Sequence, residues 1–214
     1  MMTERDTLVI RTANYVIQRN VYRLPVNIMS VCCSYGIRLL PASEYIIRGM
    51  NPQILFGTWG NPDGSAVSLG DNHVINYNDM VPENRQRFTL AEELMHILLG
   101  HTKDHRFNAF AQTYPEEVYM QYESEAKHGA GMILVPPSVY FKYRAIYSLD
   151  QIAKLCRVSR ACAYTVAKYY DQNEADLRER FTHKFILCET SSLKARISYR
   201  PISVWPSEEV QSVL

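Results

Sequence analysis

The chain has 214 residues and a formal net charge of +1, enough for one domain of ordinary size and too near neutral to argue for nucleic-acid or membrane attraction in general. No apolar run approaches the roughly 20 residues that span a bilayer. The opening MMTERDTLVIRTANYV is charged early and lacks an apolar signal-peptide core, so the expected location is the cytoplasm. Cys32, Cys33, Cys156, Cys162 and Cys188 are odd in number and contain no C-x-x-C, which argues against a disulfide framework and against a structural zinc knuckle.

From about Asp6 to Asn20, Leu8, Val9, Tyr15 and Val16 recur at helical spacing. Pro25 opens a second expected helix through Ile28, Val31 and Cys32, which Gly36 can end. Ile37 to Leu40 reads as a short strand. Asn51 to Asp63 contains Pro52, Gly57, Gly60 and Pro62 and reads as loop, with a short strand around Ile54 to Phe56. Ser65 to Ser68 and Val74 to Tyr77 form two strands joined through Gly70-Asp71-Asn72, a hairpin signal. A helix starts at Pro82-Glu83-Asn84 and runs to about Gly100. Another starts at Pro115-Glu116-Glu117 and stops at Pro136-Pro137. Ser148 and Gln151 form a capping box for a further helix, Val158-Ser159-Arg160 is a turn, and Ala161 to Tyr170 is helical again. Phe181 to Cys188 alternates like a strand. No linker is visible, so a single domain is expected, with a core over about 25–136, a helical extension over about 138–175 and a tail over 176–214.

The chemistry concentrates in Glu92-Glu93-Leu94-Met95-His96. Positions i and i+4 share a helix face, so Glu92 and His96 point the same way with Glu93 beside them. The pattern is similar to the H-E-x-x-H helix of zinc peptidases, where the two histidines hold the metal and the glutamate activates water. Here the first histidine position is glutamate, giving E-E-x-x-H.

The order of hairpin, E-E-x-x-H helix and acidic helix resembles the ImmA/IrrE family of metallopeptidases from about Pro25 to Pro136. The family's F-T-L-A-H-E-x-G-H-x-L-L run is matched at Phe88, Thr89, Leu90, Ala91, Glu93, His96, Leu98 and Leu99. Its downstream E-x-E/Q-A-N/D-x-F-A-x-x-L-L-M-P run is matched by the stretch from Glu123-Ser124-Glu125-Ala126-Lys127-His128 to Pro136. Asn76-Tyr77-Asn78 is similar to the strand end that leads into the family's catalytic helix.

The resemblance implies an α+β fold with a small mixed or antiparallel sheet against helices, a zincin-like metallopeptidase core and a C-terminal helix pair. It implies metal ligands at Glu92, His96 and Glu123, with Glu93 as the base. A site with two carboxylates and one imidazole can take zinc and is open to manganese or iron. The family's Asn or Asp four residues after the third ligand is replaced by Lys127, which can pair with Glu92 or, at i,i+4, with Glu123. Glu125 and His128 stand as further bracing or substitute-ligand candidates. Val74, Asn76 and Tyr77 would line the cleft, where a substrate peptide adds to the strand edge. The implied activity is limited proteolysis of a regulatory protein, often a DNA-binding repressor, in bacteria and their mobile elements, including phages. The rival is a catalytically inactive peptidase-fold binding protein of a regulatory, toxin–antitoxin or phage system, with Glu92 paired to Lys127 in place of a metal.

The remaining candidates read as supporting residues. His101 falls roughly 140° around the helix from His96 and is expected near the helix end, facing solvent or capping. His73, His105 and His183 have no partner at ligand spacing. Of Tyr114, Tyr119 and Tyr122, one could donate to an oxyanion, and the sequence does not select it. Lys154, Arg157, Arg160 and Lys168 lie on a helix pair of helix-turn-helix outline, but Cys162, Ala163, Val166, Ala167 and Tyr170 make its second helix mostly apolar. A packed role is expected there rather than direct nucleic-acid binding.

Overall fold

The computed structural model describes residues 3–21, 23–104 and 115–181 and the backbone at 187–188. His105, Tyr114, His183 and most of the tail lie outside the described residues, as does the middle of the strand-like run after Phe181.

Helix α1 (Glu4–Asn20) starts where Thr3 and Asp6 cap each other reciprocally, two residues earlier than the apolar pattern suggests. Its buried stripe is Val9, Ile10, Ala13, Val16 and Ile17. Strand β1 (Arg23–Leu24) pairs in parallel with β5 (Leu187–Cys188). Helix α2 (Ile28–Ser34) is capped by Asn27, and Gly36 follows it at φ 70. Strand β2 (Arg38–Pro41) leads into two short helices, α3 (Ala42–Ile47) and α4 (Pro52–Trp59). The expectation of a loop with a strand around Ile54 is therefore corrected. Asn51 caps the amides of Gln53 and Ile54, Pro52 supplies the first helical φ, and Gly60 ends the helix in the left-handed region. The prolines and glycines there punctuate a helix rather than exclude one.

Strands β3 (Gly64–Leu69) and β4 (Asn72–Tyr77) form the expected hairpin, and β2 pairs in parallel with the other side of β4. The result is a small mixed sheet in the order β2-β4-β3. Helix α5 (Glu83–Leu98) lies against this sheet and against α6 (Glu116–Leu134). Leu90, Leu94 and Met95 of α5 and Ala126, Ala130 and Ile133 of α6 are wholly buried, each large apolar side chain contributing about 1.5–3 kcal/mol. Gly129 faces Met95 so closely that a Cβ would lie 2.9 Å from its Cγ, which sets the spacing of the two helices. The architecture is α+β, with a small mixed sheet packed against helices.

The chain then continues through α7 (Pro137–Tyr143), α8 (Leu149–Cys156), α9 (Arg160–Gln172) and α10 (Glu174–Arg180). The Ser148–Gln151 capping box forms as expected. The apolar face of α9 packs on α6: Val166 covers Gly131, and the Tyr170 hydroxyl donates to the Val135 carbonyl at 2.6 Å. The buried Arg87 guanidinium ties α5 to the end of α8, donating to the carbonyls of Cys156, Arg157 and Val26. Among the described residues no helix is long and apolar enough to cross a membrane.

Close approach of β3 to α5 depends on Gly64. A Cβ there would lie 2.6 Å from the Asn76 carbonyl and 2.6 Å from the Thr89 methyl. Gly64→Ala is expected to destabilise the protein by about 1–3 kcal/mol through overpacking. Urea denaturation will show this as a lower midpoint at unchanged slope.

Candidate active site

Three carboxylates and one imidazole meet at the α5–α6 interface. Leu90, Ala91, Leu94 and Met95 bury the core side of α5 and leave Glu92, Glu93 and His96 turned toward α6 and the sheet. From α6 come Glu123 and, one turn later, Lys127. His96 Nε2 is 3.5 Å from Glu123 Oε1, longer than an ordinary hydrogen bond and close to the roughly 3.4 Å that separates two donors at tetrahedral zinc distances. Lys127 Nζ is 2.7 Å from Glu123 Oε2 and 3.8 Å from Glu92 Oε1. Both pairings expected for Lys127 therefore form.

Glu92 is the least satisfied member. Its side chain is 11% exposed, and Oε1 is buried without a hydrogen-bond partner. Burial, reinforced by Glu93 and Glu123, pushes its pKa up to about 7 against the opposing pull of Lys127. Burial also raises Glu93, although His96 and the Ala66 backbone amide favour its charged form. Glu123 moves the other way, to about 2, because His96 and Lys127 outweigh its desolvation. Burial disfavours the His96 cation, but Glu123 and the neighbouring carboxylates overcome that and raise its pKa.

A second layer lies behind His96. His101 Nδ1 is 3.1 Å from His96 Nδ1, and His101 Nε2 is 3.1 Å from Glu125 Oε2. Arg5 of α1 grips both Glu125 oxygens, at 3.0 and 2.7 Å, and Gln121 donates to Oε1 at 2.7 Å. Burial opposes the Glu125 carboxylate, but these donors hold its pKa at about 2. Tyr122 stacks flat on His101 at 3.8 Å and donates to Asp104.

The expectation that His101 faces solvent is thus corrected: the residue is 1% exposed. Gly100 takes φ 76 and ends the helix, so the helical angle between His96 and His101 no longer applies. A 3₁₀ turn (His101–Lys103) folds the ring back beneath His96. Glu125 is not brought to Glu123 and Glu92 but reaches His96 through His101. His128 stacks on Tyr169 of α9 at 4.5 Å, which turns it away from a substitute-ligand role. Arg5 has no signal in the sequence, because nothing local ties it to a residue 120 positions away. Of the tyrosines, Tyr119 stands at the site: burial raises its pKa first, and Glu123, Glu92 and Glu93 add to the shift.

The sheet offers a different edge from the one expected. β4 is the central strand, and Val74, Asn76 and Tyr77 are paired with β2 on one side and β3 on the other. No peptide can add to that strand. The Asn78 amide donates to the Asp63 carbonyl at 2.8 Å, which fixes the alternation of the ladder. Ser65 and Val67 bond inward, while Gly64, Ala66 and Ser68 turn their backbone groups to the outer edge. The Ala66 amide on that edge is the one that supports Glu93, so β3 borders the carboxylates.

The donor set can be tested against a divalent ion. Glu92, Glu93 and Glu123 against Lys127 give the cluster a formal charge of −2 when His96 is neutral, the deficit one divalent cation would fill. His96 and Glu123 already stand at donor-to-donor spacing. Among the described residues no three His, Cys, Asp or Glu side chains are arranged to hold an ion; Lys127, 52% exposed, stands against the third carboxylate. The chemistry of the donors fits a metal, with the ammonium as its competitor.

A comparison with curated proteins finds no match. The family profile described as the IrrE N-terminal-like domain matches residues 50–165, more than half of the chain, from the start of α4 into α9. It includes the hairpin, α5 and α6, and leaves Arg5 outside. With that match, the chain belongs to the peptidase M78 family of IrrE N-terminal-like, metallopeptidase-type proteins.

Proposed function

We propose that the protein is a metal-dependent peptidase that hydrolyses a peptide bond in a regulatory protein, a repressor-type substrate being the class that the family resemblance favours. The reading rests on one observation above others: a buried cluster of three carboxylates balanced, among the described residues, by Lys127, with Glu92 Oε1 lacking a hydrogen-bond partner. Glu92, His96 and Glu123 would hold the ion, zinc first and manganese or iron as oxygen-tolerant alternatives. A divalent ion there supplies Lewis acidity toward a peptide carbonyl and toward water.

The chain's own residues do the rest. Glu93 takes the proton from the attacking water and returns it to the leaving nitrogen, a task suited to a carboxylate whose pKa is raised by burial. The outer edge of β3 aligns the substrate backbone through the Ala66 carbonyl and the Ser68 backbone, the Ala66 amide being taken by Glu93. Tyr119, half-exposed and one turn before Glu123 on α6, supplies a phenol toward the developing oxyanion. The unit is a single domain, supported by the packing of both α1 and α9 on α6.

The Lys127 bridge favours a second reading, a metal-free protein that keeps the cleft for binding a regulator without cutting it. Zinc titration by calorimetry separates the two. The enzyme reading expects one zinc per chain and, in Glu123→Ala, affinity lower by at least about 100-fold, since the loss of a ligand exceeds the 10–100-fold of an outer-shell change. No zinc or manganese uptake by the wild-type chain would leave the binding protein as the answer.

A further inference from the structure

We propose that Arg5, Glu125 and His101 act as positioning residues that fix the tautomer of His96, holding its proton on Nδ1 and leaving the Nε2 lone pair for the site. The inference rests on the metal reading for its use but not for its geometry. Arg5 and Gln121 donate to Glu125 at 3.0, 2.7 and 2.7 Å, so both carboxylate oxygens are acceptors. Glu125 Oε2, 3.1 Å from His101 Nε2, can only accept there, which places the His101 proton on Nε2. The Glu125 carboxylate is already paired with Arg5, and His101 is wholly buried and stacked on Tyr122, surroundings that disfavour a charged ring. His101 therefore stays neutral and presents a bare Nδ1.

The contact at 3.1 Å between the two Nδ1 atoms then needs a proton from His96. His96 is left with Nε2 as its free nitrogen, the atom that faces Glu123 at 3.5 Å. Histidine ligands commonly have their other nitrogen fixed in this way by an outer partner. What is particular here is that the partner is a second histidine and that the chain of donors ends on α1. That helix lies outside the matched region, so the N-terminal helix becomes part of the site rather than a packing element.

Long-range proton–nitrogen NMR on the metal-free, full-length protein reads the tautomer directly. Neutral His96 is expected to show a protonated Nδ1 and a bare Nε2. His101→Phe keeps the stacking on Tyr122 and removes the acceptor; His96 is then expected to move to the Nε2–H form, and zinc affinity to fall about 10–100-fold. Near-UV circular dichroism checks that the variant is folded, and the wild-type spectrum tests the assignment without any variant. Neutral wild-type His96 protonated on Nε2 would overturn the proposal, as would a folded His101→Phe that keeps the Nδ1–H form and full zinc affinity. A wild-type Nδ1–H form without zinc uptake would uphold the relay and remove the metal reading.

Discussion

Glu93→Gln will leave the fold and zinc content in place and lower peptide hydrolysis by about 10²–10⁴-fold, the range expected when a general acid–base is lost. The substitution conserves shape at a buried position on α5, and a glutamine carbonyl still accepts the Ala66 amide that supports Glu93. Its new amide lies among the carboxylates Glu92 and Glu123, which accept hydrogen bonds. The ligand set is untouched, so metal analysis should match the wild type. Turnover on a fluorogenic peptide pool is the measurement. An unchanged rate constant in a fully loaded variant would remove Glu93 as the base and point to water activated without it.

The parts of this site that lie on regular helices are legible in the sequence, and those that depend on breaks are not. Glu92, Glu93 and His96 follow from the 3.6-residue period of one uninterrupted helix, and Glu123 and Lys127 from the same period on the next. Both Lys127 pairings are readable because i,i+4 spacing and the family pattern put the ammonium beside carboxylates. His101 is misplaced by helical extrapolation because the extrapolation runs one residue past Gly100, whose left-handed φ changes the direction of the chain. Glycine after a periodic run is a known stop signal, so the reversal is there to be read, although the contact it makes is not. Helix α4 escapes for a related reason: Pro52 and Gly60 read as loop residues but mark the two ends of a helix. The edge strand is hidden because strand order is not local. Only the parallel pairing of β2 with β4, across α3, α4 and β3, makes β4 central. Arg5 and Glu125 meet through tertiary packing alone.

Charge explains why Glu92 and Lys127 belong together. Replacing a neutral imidazole ligand with a carboxylate adds one negative charge, and Lys127 in place of a neutral or acidic brace returns a positive one. With a divalent ion, the formal sum over Glu92, Glu93, Glu123 and Lys127 is zero, as it is for a site with two imidazoles, one ligand carboxylate and one base carboxylate. Without the ion, the deficit falls on Glu92, whose Oε1 lacks a hydrogen-bond partner.

That deficit leads to an inversion of stability. In metal-free protein at pH 8, Glu92→Gln is expected to be more stable than the wild type by about 1–3 kcal/mol. Glu92 titrates at about 7 in the folded chain against an ordinary 4.5. Between those values the folded state binds more protons than the unfolded one, so stability falls as pH rises through the window, and the loss is complete above about 7. The full gap corresponds to about 3 kcal/mol at about 1.4 per pH unit, and coupling to Glu93 and Glu123 spreads part of it over the cluster. A glutamine at this position does not ionise and escapes the loss, so the two proteins should converge near pH 4.5.

Adding zinc at 1,000 times its dissociation constant stabilises the wild type by about 4.1 kcal/mol, more than the whole deficit, while a chain without the Glu92 carboxylate gains much less. The order of the melting temperatures should therefore reverse on adding zinc at pH 8, with shifts of about 2–4 °C per kcal/mol for a chain of this size. Differential scanning calorimetry at pH 4.5 and 8, with and without zinc, measures both proteins in each condition. A metal-free Glu92→Gln less stable than wild type at pH 8 would show that Lys127 already compensates Glu92. An equal gain from zinc in both proteins would remove Glu92 from the ligand set and leave His96 and Glu123 to hold the ion.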